Sequence, residues 1–214
     1  MSVDPTTRMA RYLAARTAFF DRVVVSAIDG GITQVVVAAA GYDGRALRYA
    51  RPGVRWFELD HPDTQADKRA ALDRLGIETS DIGFAAADFV VDDVAAALAE
   101  VGHDRSTPTL FTVEGVAVYL DRPVLEALLR GLRRAAAPGS RLAISLSVEG
   151  GAGTSATRAA FRSGVARLGE PARTTLTVDE AGDMISATGW EVTGAGSERG
   201  RSAGLVVLVA SDPS

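Results

Sequence analysis

Five short apolar runs alternate with helical segments along the first two-thirds of this chain, and that alternation leaves few folds open. Residues 34–39, 54–59, 82–87, 109–114 and 141–147 are rich in Val, Ile, Phe, Leu and Ala. Such near-continuous apolarity belongs to strands buried on both faces. Between them, residues 45–50, 62–75, 92–101 and 122–136 read as helices. The third follows Asp92 and Asp93; the fourth follows Asp121, carries Pro123 in its first turn and stops at Pro138-Gly139. Alternating strands and helices predict a parallel sheet with helices on both faces. The last part of the chain breaks the pattern. After a helix over 178–188, strands over 190–193 and 205–210 are joined by the short polar loop 196–202, too short for a parallel crossover. The expectation is one α/β domain spanning 1–214, with a seven-stranded sheet, mostly parallel, closing in a C-terminal antiparallel hairpin. Residues 1–30 form an N-terminal helical segment, and the Gly-rich stretch 149–153 is expected as a loop beyond the fifth strand.

Composition excludes several kinds of chemistry. The chain has no cysteine and only two histidines, so thiolate nucleophiles, disulfides and histidine-rich metal sites are not expected. Its net charge is −4 and its aromatic content 6%, which supplies neither a phosphate track nor a stacking platform for nucleic acid. The N-terminus has no basic-plus-apolar signal stretch, and no run reaches the length of a membrane span, so a cytoplasmic protein without membrane partners is expected. Of 23 basic residues only Lys68 is a lysine.

The polar residues worth attention collect at the carboxyl ends of the predicted strands. The first strand runs through Ala39-Ala40-Gly41-Tyr42-Asp43-Gly44 into a helix, a turn of small residues beside a helix N-terminus. Asp60 ends the second strand, 19 positions beyond Gly41, where an acid can accept hydrogen bonds from ribose hydroxyls or cap the next helix. Asp88, beside Phe89, ends the third strand, and its carboxylate suits a purine amine or a helix cap. Glu114 ends the fourth, a costly place for an unpartnered carboxylate. Three acids at three strand ends face the crevice where open α/β sheets bind ligands. Arg16 lies inside the apolar stripe of the first helix, so it either reaches out to water or faces the sheet and needs an anion.

These residues resemble the bacterial branch of the leucine carboxyl methyltransferase family, within the class I S-adenosylmethionine-dependent methyltransferases. The resemblance rests on Ala15-Arg16-Thr17-Ala18-Phe19-Phe20-Asp21, on residues 34–45, and on Phe57-Glu58-Leu59-Asp60-His61-Pro62. It continues through Lys68, Ala87-Asp88 and Val113-Glu114-Gly115-Val116-Ala117-Val118-Tyr119-Leu120. It implies a Rossmann-like fold and S-adenosylmethionine as cofactor. By it, Arg16 would bind the methionine carboxylate, with Ala39 and Gly41 under the methionine moiety. Asp60, with His61 lining the pocket, would hold the ribose hydroxyls, Asp88 and Phe89 would meet the adenine, and Glu114 would sit near the amino group. The chain departs from the family in having Ala39 where a glycine is expected and only 15 residues before Arg16, so a shortened substrate cover is expected.

The expected activity is O-methylation of a small-molecule carboxylate or hydroxyl, a reaction of secondary metabolism, with Tyr119 and Arg45 as candidates for orienting the acceptor. An ionised carboxylate needs no general base, whereas a hydroxyl does. Two other readings fit the same residues: a methyltransferase fold that binds the cofactor or a metabolite without methyl transfer, and an NAD-dependent oxidoreductase. An exposed first helix carrying Phe19, Phe20 and Val23 would favour a homodimer. No metal site is expected.

Overall fold

The computed structural model describes residues 5–149, 173–192 and 205–210, with side chains of the first helix from Ala10 onward. The order of elements is α1 (Pro5–Asp29), β1 (Gln34–Ala38), α2 (Arg45–Arg48), β2 (Arg55–Asp60), α3 (Pro62–Arg74), β3 (Ile82–Ala86), α4 (Val94–Glu100) and β4 (Thr109–Val113). It ends with α5 (Arg122–Ala135), β5 (Arg141–Ser145), α6 (Val178–Ala187), β6 (Trp190–Val192) and β7 (Leu205–Ala210).

The seven strands form one sheet in the order β3-β2-β1-β4-β5-β7-β6. β3, β2, β1, β4 and β5 run parallel; β7 pairs antiparallel with both β5 and β6. The terminal hairpin predicted from the short polar loop is therefore present, with β7 inserted between its partner and β5. Every residue of β1 and of β4 is buried, which accounts for their unbroken apolar sequence.

Side chains alternate between two cores. One face carries Val36, Phe57, Phe111, Val113 and Leu142 against α4, α5 and α6, including Leu98, Leu125, Leu129, Leu132 and Met184. The other carries Val35, Val37, Trp56 and Leu110 against Val24, Ala27 and Ile28 of α1 and Ala46 of α2. Local signals fix the helix starts: Asp93 accepts the N–H groups of Ala95 and Ala96, and Thr177 with Glu180 makes a reciprocal capping box on α6.

β1 and β4 each end one residue earlier than expected, for a backbone reason. Ala39 has φ 53° and Gly115 φ 75°, so the chain leaves extended geometry just after β1 and just after β4. Phe20 is fully buried against Ala143, with half-buried Phe19 and Val23 packed beside it. The expected loops at 149–153 and 196–202 lie, apart from Glu149, outside the described residues. Among those residues no helix is long and apolar enough to cross a membrane.

Candidate functional site

The chain winds outward from β1 to β2 and β3, then returns to the other side of β1 to form β4. The winding reverses at the carboxyl ends of β1 and β4, the point at which open α/β sheets bind ligands. Gly41 follows β1 there with φ 45°, a left-handed conformation suited to glycine. Its N–H donates to Oδ2 of Asp60 at 2.5 Å, and Oδ1 of Asp60 accepts the His61 N–H at 2.7 Å. The acid at the end of β2 thus holds the turn after β1 and stays part-exposed. His61 caps α3: its Nδ1 accepts the Asp63 N–H, and its ring is half exposed.

Glu114, directly after β4, is the meeting point of two arginines. Arg16 Nε donates to its Oε1 at 2.9 Å, and Arg45 Nη1 lies 2.8 Å from its Oε2. Arg16 therefore faces the sheet rather than water. Its guanidinium lies against Gly115, where an added Cβ would stand 3.2 Å from both Nη atoms and push the guanidinium aside by a few tenths of an ångström. Gly115 N–H is held in turn by Ser145 Oγ at the end of β5.

Arg45 is 3% exposed. Besides Glu114 it meets Asp21 of α1 at 2.7 Å through Nε, the Asp43 carboxylate through Nη1, and the Thr17 carbonyl through Nη2. Phe20 closes the remaining side, its ring 5.6 Å from the guanidinium carbon. Burial alone would lower the pKa of Arg45; Asp43, Asp21 and Glu114 outweigh it and hold it above its ordinary value. Neither a surface position nor an open acceptor site describes this side chain, because its donors are given to the protein's own carboxylates.

A second buried cation is the chain's single lysine. Lys68, on α3, lies 2.5 Å from Glu58 Oε2 and donates to the Asp43 carbonyl at 2.7 Å. Glu58 is buried in mid-strand, and burial pushes its pKa up against the pull of Lys68. Gln65 Nε2, one helical turn before Lys68, donates to the carbonyls of Glu58 and Ala85 and ties α3 to β2 and β3. Asp43 is accordingly clamped twice, by Lys68 at its carbonyl and by Arg45 at its carboxylate. Asp21, Asp43 and Glu58 were not singled out from sequence, because their partners lie on other elements.

The structure sets the remaining candidates around this centre. Asp88 follows β3 at the sheet edge, part-buried, accepting the Val90 N–H through Oδ1. Phe89 beside it packs partly against the larger core. Tyr119 lies half-buried in the turn after β4, its N–H bonded to the Val116 carbonyl. Ala39 is part-buried at the mouth of the turn.

A family model described as leucine carboxyl methyltransferase matches residues 2–133. The chain belongs to the leucine carboxyl methyltransferase family. A protein of Parafrankia sp. (strain EAN1pec), provisionally named an S-adenosyl-L-methionine-dependent methyltransferase, is 39% identical over 137 residues, which are 64% of this chain and 44% of that one. The chain thus spans about half the length of the family members it matches. Among solved structures, one provisionally named a methyltransferase from Thermobifida fusca YX has a TM-score of 0.70 at 19% identity, covering 95% of this chain and 82% of its own. An O-methyltransferase from neocarzinostatin biosynthesis, solved with S-adenosylmethionine and 2-hydroxy-5-methyl naphthoic acid, has a TM-score of 0.57 at 17% identity, covering 91% and 57%. At those identities the likeness is one of fold.

Proposed function

We propose that this chain is an S-adenosylmethionine-dependent O-methyltransferase acting on a small-molecule carboxylate or hydroxyl in the cytoplasm. One observation carries the reading: Arg16 and Glu114 form a part-exposed pair of opposite charges, 2.9 Å apart, in the same crevice as the Gly41 turn and Asp60. An amino acid head group, with one carboxylate and one ammonium, complements such a pair. Arg16 would take the carboxylate, Glu114 the ammonium, and Asp60 the ribose hydroxyls, with Asp88 and Phe89 at the adenine. The residues present therefore fit the cofactor. Family membership supports the same reading, and the acid solved with the neocarzinostatin enzyme, which carries both a carboxyl and a hydroxyl, is the kind of acceptor envisaged.

When bound, the cofactor supplies a methyl group on a sulfonium. Transfer of that group disperses charge, so the protein's share is orientation and exclusion of water. A carboxylate acceptor, ionised well below pH 7, asks nothing more of the chain. A hydroxyl acceptor needs a base, and His61, half exposed at the start of α3, is the imidazole beside the crevice.

Calorimetric titration with S-adenosylmethionine and S-adenosylhomocysteine, with NAD as control, tests the reading. Micromolar binding of an adenosyl ligand and none of NAD is expected. Asp60→Ala should weaken that binding by about 100-fold, the loss of charge-assisted bonds worth about 3 kcal/mol. Binding of NAD alone, or an unchanged affinity in Asp60→Ala, overturns it.

A further inference from the structure

We infer that Arg45 is a positioning residue that keeps Glu114 available to an α-amino group by holding one of its two oxygens. The inference rests on the proposed cofactor reading and deepens it.

The argument begins with how the Glu114 carboxylate is divided. Oε2 belongs to Arg45 and Oε1 to Arg16. A free arginine facing a carboxylate takes both oxygens in a bidentate fork, the strongest arrangement open to the pair. Arg45 prevents that here. With Oε2 held, Arg16 makes a single bond through Nε, and only one contact must be exchanged for an incoming ammonium to reach Oε1. Arg45 can hold its oxygen because it is itself fixed. Asp21 grips Nε, Asp43 grips Nη1, the Thr17 carbonyl takes Nη2 and Phe20 covers the face. Asp43 is immobilised in turn by Lys68 at its carbonyl. These contacts come from α1, α3 and the turn after β1, so the side chain has no room to follow a ligand. Arg16 is 21% exposed and Arg45 4% at the side chain, which separates the partner that moves from the partner that stays.

A lysine in place of Arg45 would keep the charge but lacks the fork needed to span Asp21, Asp43 and Glu114 together. The effect is directed at one end of the ligand. Losing the hold on Glu114 weakens recognition of the amino acid head and leaves the adenosine end, bound at Asp60 and Asp88, much as it was.

The test compares S-adenosylhomocysteine with 5′-methylthioadenosine, which shares the thioadenosine but has no amino acid head. Affinities of both are measured by calorimetry on wild type, Arg45→Gln, Arg45→Lys and Asp21→Asn. In wild type S-adenosylhomocysteine binds more tightly. In Arg45→Gln that advantage should shrink by about tenfold, and in Arg45→Lys and Asp21→Asn by about threefold, with the methylthioadenosine affinity changed less than about twofold. Asp21→Asn alters a part-exposed partner on α1, so it gives the ratio even where Arg45→Gln fails to fold. Parallel weakening of both ligands, or an unchanged ratio in the folded variants, overturns the inference and leaves Arg45 a packing residue. If wild type binds neither ligand, the cofactor reading itself has failed. If wild type binds both equally, the cofactor reading stands and Glu114 has no amino group to receive.

Discussion

The two edges of the sheet bury polar groups in opposite ways. At the amino edge the groups are neutral and answer one another. Gln34 Nε2 donates to the Asp104 carbonyl at 2.8 Å and lies within reach of Thr109 Oγ1 and the Thr107 carbonyl, while its Oε1 accepts the Asp104 N–H at 3.0 Å. His103 Nε2 meets Thr109 Oγ1 at 3.0 Å, and Thr109 N–H donates to Ser140 Oγ. At the carboxyl edge the groups are ionised, and Arg16, Glu114, Asp21 and Asp43 keep some exposure. The first arrangement has nothing left to offer a ligand and ties loops to strand starts. The second holds charges whose partners can be exchanged, as a binding site requires.

Swapping the chemistry of the edges gives the largest expected contrast. Gln34→Glu changes one group of atoms, yet sets a carboxylate against the Asp104 and Thr107 carbonyls at a position 3% exposed. A loss of about 4 kcal/mol at pH 7 is expected, the cost of an uncompensated buried charge. Glu114→Gln, the reverse change, should cost less than about 1.5 kcal/mol, because Arg45 keeps Asp21 and Asp43 and an amide oxygen still accepts. Urea unfolding of both variants measures this, and equal losses would dissolve the distinction.

His103 sharpens the comparison through pH. Burial lowers its pKa from 6.5 to about 4, against the pull of Asp104 and with a smaller push from Arg55. As pH falls below 6.5 the unfolded chain takes the proton first. The stability His103 contributes is therefore full above pH 6.5 and lost progressively toward pH 4, at most about 3 kcal/mol. Glu58, with its raised pKa, acts in the opposite sense by losing stability as pH rises, so wild type must be compared with His103→Gln. The variant should lack the His103 slope between pH 6.5 and 4 in its urea midpoints. A slope identical to wild type would mean that His103 is not the titrating group.

Much of this architecture could be read from the chain because its signals are local. Buried strands such as 109–113 are apolar without interruption, and Asp93, Asp121 and Thr177 stand where helices begin. Asp60 and Glu114 stood out because an acid at the end of an apolar strand needs a reason. The ion network did not, because its contacts join residues far apart. Arg45 meets Asp21 24 positions back and Lys68 meets the Asp43 carbonyl 25 positions back, spacings that carry no periodic signature. Lys68 stood out as a lone lysine among arginines and as part of the family resemblance, and it marks a site that takes a slender ammonium, between Glu58 and a carbonyl, rather than a planar fork. The neutral cluster of His103, Gln34, Thr109 and Ser140 gave no hint, since three of its members are ordinary residues at strand starts and His103 sits in the loop after α4.

The smallest effects lie in the two turns of the carboxyl edge, which have left-handed backbone and different residues. Gly115→Ala should destabilise by about 1–2 kcal/mol, the cost of an L side chain at positive φ. It should also displace Arg16, whose Nη atoms stand 3.2 Å from the new Cβ. Ala39 already pays such a cost at φ 53°. Ala39→Gly relieves it, but the freer unfolded chain takes back about 0.5–1 kcal/mol, so a net gain of about half a kcal/mol is expected. Urea midpoints at an unchanged slope measure both, and calorimetry shows whether the gain leaves S-adenosylhomocysteine affinity intact. A loss of stability in Ala39→Gly would mean that the methyl group packs well enough to repay its strain. The turn would then be fitted to alanine, and the departure from the family's glycine would be part of how this crevice is shaped.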